Sequence, residues 1–242
     1  LAPRSATHLQ EKKETAMPDI EIISHPLCPH AQRLVIVGLL GGKRPNVDYT
    51  MTYIPYAVFP QMLAEISPRT RDVPVMRFDG QLVSDSVDAI AEYMNGMLGL
   101  SLLPDDPAER LKVRGGERLV ADGLQQLRGV FTARDQAGLD IALDGFFTAL
   151  GAIEARLDGS VDPGALTHLG YVALAPIGSL VSQFALLRSH PRWNDLPKVK
   201  ARIHAASDHP LVNQARCPNY REEFGGFFKM TGSAFADLAS ER

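Results

Sequence analysis

The sequence predicts an α/β domain built on a small mixed sheet, followed by an all-helical domain. Three observations carry this. Short β-branched runs alternate with helical patterns between Ile20 and Asn95. An Asp79-Gly80 pair sits between two short strand-like runs, which is a hairpin signal. After Pro107 strand patterning disappears and apolar residues recur at helical spacing.

In chain order, Ile20 to Ser24 reads as a first strand. Pro29 to Leu40 reads as a helix, stopped by Gly41-Gly42. Val47 to Ile54 reads as a second strand and Phe59 to Ile66 as a short helix. Val75 to Phe78 and Gln81 to Val83 flank the hairpin, and a helix follows over Ser86 to Asn95 with Val87, Ile90, Ala91 and Met94 on one stripe. The order β-α-β-α-β-β-α is thioredoxin-like, with a mixed four-stranded sheet covered by helices. Residues 17–98 form this domain and 99–106 a linker ending in Pro104-Asp105-Asp106-Pro107, a helix start. Residues 107–242 form the all-α domain, with helical patterns over Ala108 to Phe131, Leu139 to Leu157, Leu166 to Leu187 and Lys198 to Ala206. Residues 1–16 are polar and without period, and are expected to be a disordered extension or expression remnant.

Composition narrows the function. With 45% hydrophobic and 22% charged residues the chain is of the globular class. A net charge of −3 gives no support to nucleic-acid or anionic-membrane binding. The longest apolar runs are too short to span a bilayer, and the start lacks the apolar core of a secretory signal, so a cytoplasmic location is expected. The two cysteines, Cys28 and Cys217, make no disulfide framework, and no metal-ligand spacing appears.

The informative stretch is Ser24-His25-Pro26-Leu27-Cys28-Pro29-His30-Ala31-Gln32-Arg33. Cys28 falls at a helix start, with Pro29 at the first helical position. The unpaired N–H groups there are expected to lower the thiol pKa, with His30 adding to this if protonated. The bland alternative is a small buried filler. Ala31 stands where a two-cysteine redox motif has its resolving thiol, so Cys28 has no local partner and a mixed disulfide on it needs a second molecule to resolve it. Val73-Pro74-Val75 is either a cis peptide facing that helix start or a trans proline opening an edge strand. Asp85-Ser86 either caps the next helix or receives a ligand's amine and carboxylate.

These features, in this order, resemble the glutathione transferase superfamily over about Pro18 to Phe228. Cys28-Pro29-His30-Ala31-Gln32-Arg33 is similar to the Cys-Pro-aromatic-Ala-x-Arg signature of its cysteine-type members, the omega-like and dehydroascorbate-reductase-like classes, and Leu186 to Lys200 resembles the late-helix region of bacterial members. The resemblance implies a thiol transferase or glutathione-dependent reductase that forms a mixed disulfide between Cys28 and glutathione. It implies glutathione contacts from Pro29, His30, Val73, a cis Pro74, Asp85 and Ser86. It further implies glutathione as co-substrate, no metal, a small electrophilic or disulfide second substrate, and a homodimer. The chain departs from the pattern at His30, where relatives carry Phe or Tyr, and at Asp85, where Glu is commoner. No clear lysine stands just before Pro60, where omega-like members hold the glycyl carboxylate, leaving Arg69 or Arg71 for it, and Thr167-His168-Leu169-Gly170 lacks the Asp of the family's capping box.

The second substrate is expected between the domains. Arg114 and Arg118, flanking Gly115-Gly116, are candidates for an anionic one, with an exposed helix face as the plainer reading. The cluster Tyr220 to Phe228 either closes over the site or docks the C-terminus. Two other functions stay open: a conjugating, lyase or isomerase enzyme on a small electrophile, and a non-catalytic partner-binding protein of the same fold. Ser24 is a weaker candidate for a hydroxyl that keeps glutathione's own thiol ionised.

Overall fold

The computed structural model describes residues 19–236; the extension expected over residues 1–16 lies outside them. Four strands, β1 (Ile20–Ser24), β2 (Thr50–Tyr53), β3 (Val75–Phe78) and β4 (Gln81–Ser84), form one sheet in the order β2-β1-β3-β4. The β1–β2 pair is parallel, and β1–β3 and β3–β4 are antiparallel, so the sheet is mixed. Period-2 alternation sets its faces. Ile22 pairs with Met76 on a fully buried face, while Glu21 pairs with Arg77 on the other and their charges lie 4.0 Å apart. Asp79 and Gly80 both have positive φ, 48° and 78°, as a two-residue hairpin turn requires.

Helices α1 (Pro29–Leu40) and α3 (Val87–Met97) pack together, and the short α2 (Phe59–Ile66) lies between β2 and β3 in sequence. Strand β2 starts three residues later than its apolar pattern predicts. Asn46 takes a left-handed φ of 58° and its Oδ1 accepts from Met51 N (2.9 Å), so the segment before β2 is a turn.

The chain after Pro104 is helical: α4 (Pro107–Thr132), α5 (Gln136–Glu154), α6 (Leu169–Val181), α7 (Ala185–Arg188), a 3-10 turn at Pro191–Asp195, α8 (Pro197–Asp208), α9 (Pro210–Gln214) and α10 (Tyr220–Thr231). Asp106 caps α4 by accepting from Glu109 N (2.8 Å), with Pro107 at the first position. Helix α6 is apolar on nearly every side, which fits a central helix packed on α1, α4 and α8. It approaches α8 so closely that a Cβ on Gly178 would lie 2.5 Å from the Ile203 carbonyl oxygen. The pattern over Leu166 to Leu187 divides into α6 and α7. Ser182 Oγ and Gln183 Nε2 bond back to the Ser179 carbonyl (2.9 and 3.4 Å) and compete with the backbone ladder there. The missing capping-box Asp is replaced by other chemistry, since His168 Nδ1 accepts from Tyr171 N (3.3 Å) at the α6 start.

Helix α1 joins the two halves. Gln32 donates to Ser179 Oγ on α6 (3.0 Å) and to the Val212 carbonyl on α9 (3.1 Å). Arg33, 3% exposed, donates to Asp88 of α3 (2.6 Å) and to Glu117 of α4. Glu117 also accepts from Arg114 (2.8 Å), which reaches Glu92 of α3. Burial pushes the Glu117 carboxyl pKa up, against the pull of Arg33 and Arg114. Removing this carboxylate leaves a buried guanidinium short of a partner, and such losses are strongly destabilising. Glu117→Ala should therefore lose roughly 3–5 kcal/mol in urea unfolding. A loss below about 1 kcal/mol would show that the clamp is not structural.

Candidate functional site

Cys28 is the N-cap residue of α1, with extended backbone (φ −72°, ψ 114°) and Pro29 behind it. The turn before it is closed by Cys28 N donating to the His25 carbonyl (3.1 Å). The residue is 5% exposed, and its Sγ lies 3.8 Å from the Val73 carbonyl oxygen, as a thiol donor would. The helix-start N–H groups of His30 and Ala31 and the nearby Ser24 hydroxyl favour the thiolate, while Ser24 Oγ itself is buried and makes no hydrogen bond among the described residues. Burial outweighs them and pushes the Cys28 thiol up, with the Asp72 charge adding to it. The expected low pKa is therefore corrected. The helix start supplies donors, but the resting sulfur is desolvated and protonated. His30 does not help as a cation, because burial and the Arg33 charge lower its pKa.

Cys28 opens onto a cavity between the two halves. Of the residues singled out in the sequence, Cys28, Pro29, His30 and Val73 line it. Val73–Pro74 is a cis peptide bond. Val73 N–H is engaged by Asp72 Oδ1 at 3.0 Å, and Pro74 is buried behind it. Asp85 and Ser86 stand outside the cavity lining. The Asp85 carboxylate is held by Arg69 (3.0 Å) and Thr70 (3.3 Å). Ser86 caps α3, its Oγ accepting from Ala89 N (3.4 Å). Arg69 is thereby committed to an ion pair, whereas Arg71 lines the cavity.

Arg114 and Arg118 are not brought to the cavity. Arg114 belongs to the clamp with Glu117 and Glu92, and Arg118 pairs with Asp122 on the helix surface (3.1 Å). The wall from α4 begins at Ala121, one turn past Arg118, and continues through Leu124, Gln125, Arg128 and Phe131. Tyr56 and Phe59 enter from the sheet half and Phe224 and Phe227 from α10, so the C-terminal aromatic cluster does close on the site. Tyr56 and Phe227 meet edge to face across it, centroids 4.9 Å apart. Sequence reasoning missed Tyr56, Phe59, Gln125 and Arg128. Gln125 and Arg128 carry a signal, being spaced to share one helix face with Leu124 and Phe131.

Among the described residues, no group of three His, Cys, Asp or Glu is placed to hold a metal ion, and no helix is long and apolar enough to cross a membrane.

This arrangement has the fold of solved glutathione transferases. A tau class glutathione S-transferase from mango (Mangifera indica) superposes with a TM-score of 0.68, covering 88% of this chain and 98% of its own, at 16% identity. Glutathione transferase omega 3C from Trametes versicolor gives 0.65, with 84% and 90% covered, at 21% identity. A β-etherase from Sphingobium sp. strain SYK-6 gives 0.62, with 81% and 98% covered, at 15% identity. No family model and no curated protein matches the sequence. At such identities the likeness establishes the thioredoxin-like and all-helical architecture, and function must be argued from the site.

Because burial raises the folded thiol pKa, the thiolate fraction near neutral pH is smaller than for a free cysteine and grows as pH rises. Alkylation of Cys28 by iodoacetamide should keep accelerating from about pH 7 to beyond pH 9, and Ser24→Ala, by removing a thiolate donor, should move the profile further alkaline. A plateau below about pH 7, read by mass spectrometry of the Cys28 peptide, would contradict this.

Proposed function

We propose that the chain is a glutathione-dependent thiol transferase that works through a mixed disulfide on Cys28. The observation that carries this reading is the single thiol at the α1 start, on the wall of a cavity between the halves, with Ala31 where a resolving cysteine would stand. The Cys28 thiolate attacks a sulfur of a glutathione disulfide, the S–S bond breaks, and the departing thiolate takes a proton. Ser24 Oγ and the His30 and Ala31 N–H groups stabilise the charge as it forms. A second glutathione thiolate then attacks the mixed disulfide, leaves as oxidised glutathione, and frees Cys28. The raised pKa lowers the resting thiolate fraction but accompanies a more nucleophilic sulfur.

In this reading glutathione lies along the edge formed by Val73, Asp85 and Ser86. Its cysteinyl backbone takes the Val73 N–H in place of Asp72, and its γ-glutamyl amine meets Asp85. Arg71, which has no ion pair among the described residues, receives the glycyl carboxylate. The enzyme is cytoplasmic and a homodimer. The dimer is supported by exposed apolar side chains on β4, α3 and α4: Val83 at 52%, Tyr93 at 39% and Leu111 at 73% exposure.

The raised thiol pKa also favours a second reading. A Cys28 that stays protonated would donate a hydrogen bond to glutathione's own thiolate and support conjugation, lyase or isomerase chemistry. Intact mass after treatment with oxidised glutathione separates the two. Thiol transfer predicts one glutathione adduct on the wild type, absent from Cys28→Ser and removed by reduced glutathione. No adduct, with Cys28 still open to alkylation, would reject thiol transfer in favour of the second reading.

A further inference from the structure

Two polar groups of the cavity are not used by glutathione in the reading above. His25 precedes the thiol by three residues and lines the same cavity. Its Nδ1 accepts from Leu27 N (3.2 Å), which leaves the ring proton on Nε2. The ring is held edge to face by Tyr56 (5.4 Å between centroids) and Phe59 (4.9 Å), so its direction is set by packing. Burial, with the Arg128 charge adding to it, lowers its pKa to about 4, so near neutral pH Nε2–H is a neutral donor. Among the described residues no acceptor is bonded to that Nε2–H. Arg128 reaches the cavity from α4, with Gln125 one turn before it, and among the described residues its guanidinium has no ion pair or side-chain hydrogen bond. The walls around these two groups are aromatic: Tyr56, Phe59, Phe131 and Phe227.

We propose that His25 and Arg128 form an anion-reading subsite of the second-substrate cavity, and that the preferred electrophile is an aromatic compound carrying a carboxylate or similar oxyanion. The aromatic walls bury the ring. The guanidinium fork and the imidazole N–H receive the oxyanion, leaving the electrophilic atom for the sulfur chemistry at Cys28. This specificity rests on reading the cavity as the second-substrate site. It does not depend on whether the attacking sulfur belongs to Cys28 or to glutathione.

The test uses the full chain with Cys217→Ser, and two reagents with the same reactive group, one neutral and one anionic: α-bromoacetophenone and its 4-carboxylate. In each reaction a C–S bond to Cys28 forms, the C–Br bond breaks, bromide leaves and the thiol proton goes to buffer. Rates are read by intact mass and divided by those of free glutathione with the same reagent, which removes intrinsic reactivity. The carboxylate should be preferred by roughly tenfold, as expected of a charge-assisted contact. Arg128→Gln and His25→Phe should each bring the ratio toward one, Arg128→Lys should restore part of it, and Arg110→Gln, at the far end of α4, should not change it. An undiminished preference in Arg128→Gln, or none in the parent, would overturn the subsite. A preference that persists in a protein forming no glutathione adduct would uphold the subsite while removing thiol transfer. Failure of both reagents to reach Cys28 would overturn both.

Discussion

The buried guanidinium of Arg33 sets the geometry on which the site depends. A cation with 3% exposure is costly to bury unless it is paired, and the pairing fixes its neighbours. Arg33 lies on the helix that presents Cys28, Asp88 on α3 of the same half, and Glu117 on α4 of the other half. One residue earlier, Gln32 bonds to α6 and to the Val212 carbonyl. Helix α1 is thus fastened to both halves by adjacent polar side chains, while Leu34, Ile36 and Val37 seal it with no exposed surface. The gap between Cys28 and the α4 wall of Leu124, Gln125, Arg128 and Phe131 is set by that fastening.

At the thiol itself two effects oppose each other. The helix-start N–H groups and the Ser24 hydroxyl favour a thiolate, and desolvation disfavours it. In the resting state desolvation wins and the sulfur points toward the Val73 carbonyl. A group in this balance is stabilised most at the moment charge forms on it, which suits the proposed role of nucleophile and then leaving group. The same cavity holds neutral His25 and Arg128, which has no ion pair among the described residues, so cationic character is supplied by arginine and not by imidazolium.

Features written in local chemistry were readable from the sequence. The α1 limits follow from Pro29 and Gly41, the hairpin from Asp79-Gly80, and the α4 start from Asp106-Pro107. Cys28 could be placed at a helix start because the strand, the proline and the helical period adjoin it. The direction of its pKa could not, since burial of the sulfur is produced by packing between the halves. The same holds for Arg114. Its flanking glycines suggest a surface arginine free for substrate; Glu117 lies one turn on in the same helix, but Glu92 comes from α3, which only the folded chain brings against α4. Tyr56 and Arg128 lie far apart in sequence, and a cavity wall assembled from such pieces leaves no compact motif.

The most direct measurement is a crystal structure of the protein grown with oxidised glutathione. The account predicts continuous density from Cys28 Sγ to half of the disulfide, with the peptide running past Val73 N toward Asp85 and Ser86 and the Asp72 carboxylate turned away. Glutathione bound with its sulfur free of Cys28, or attached to Cys217 instead, would contradict it.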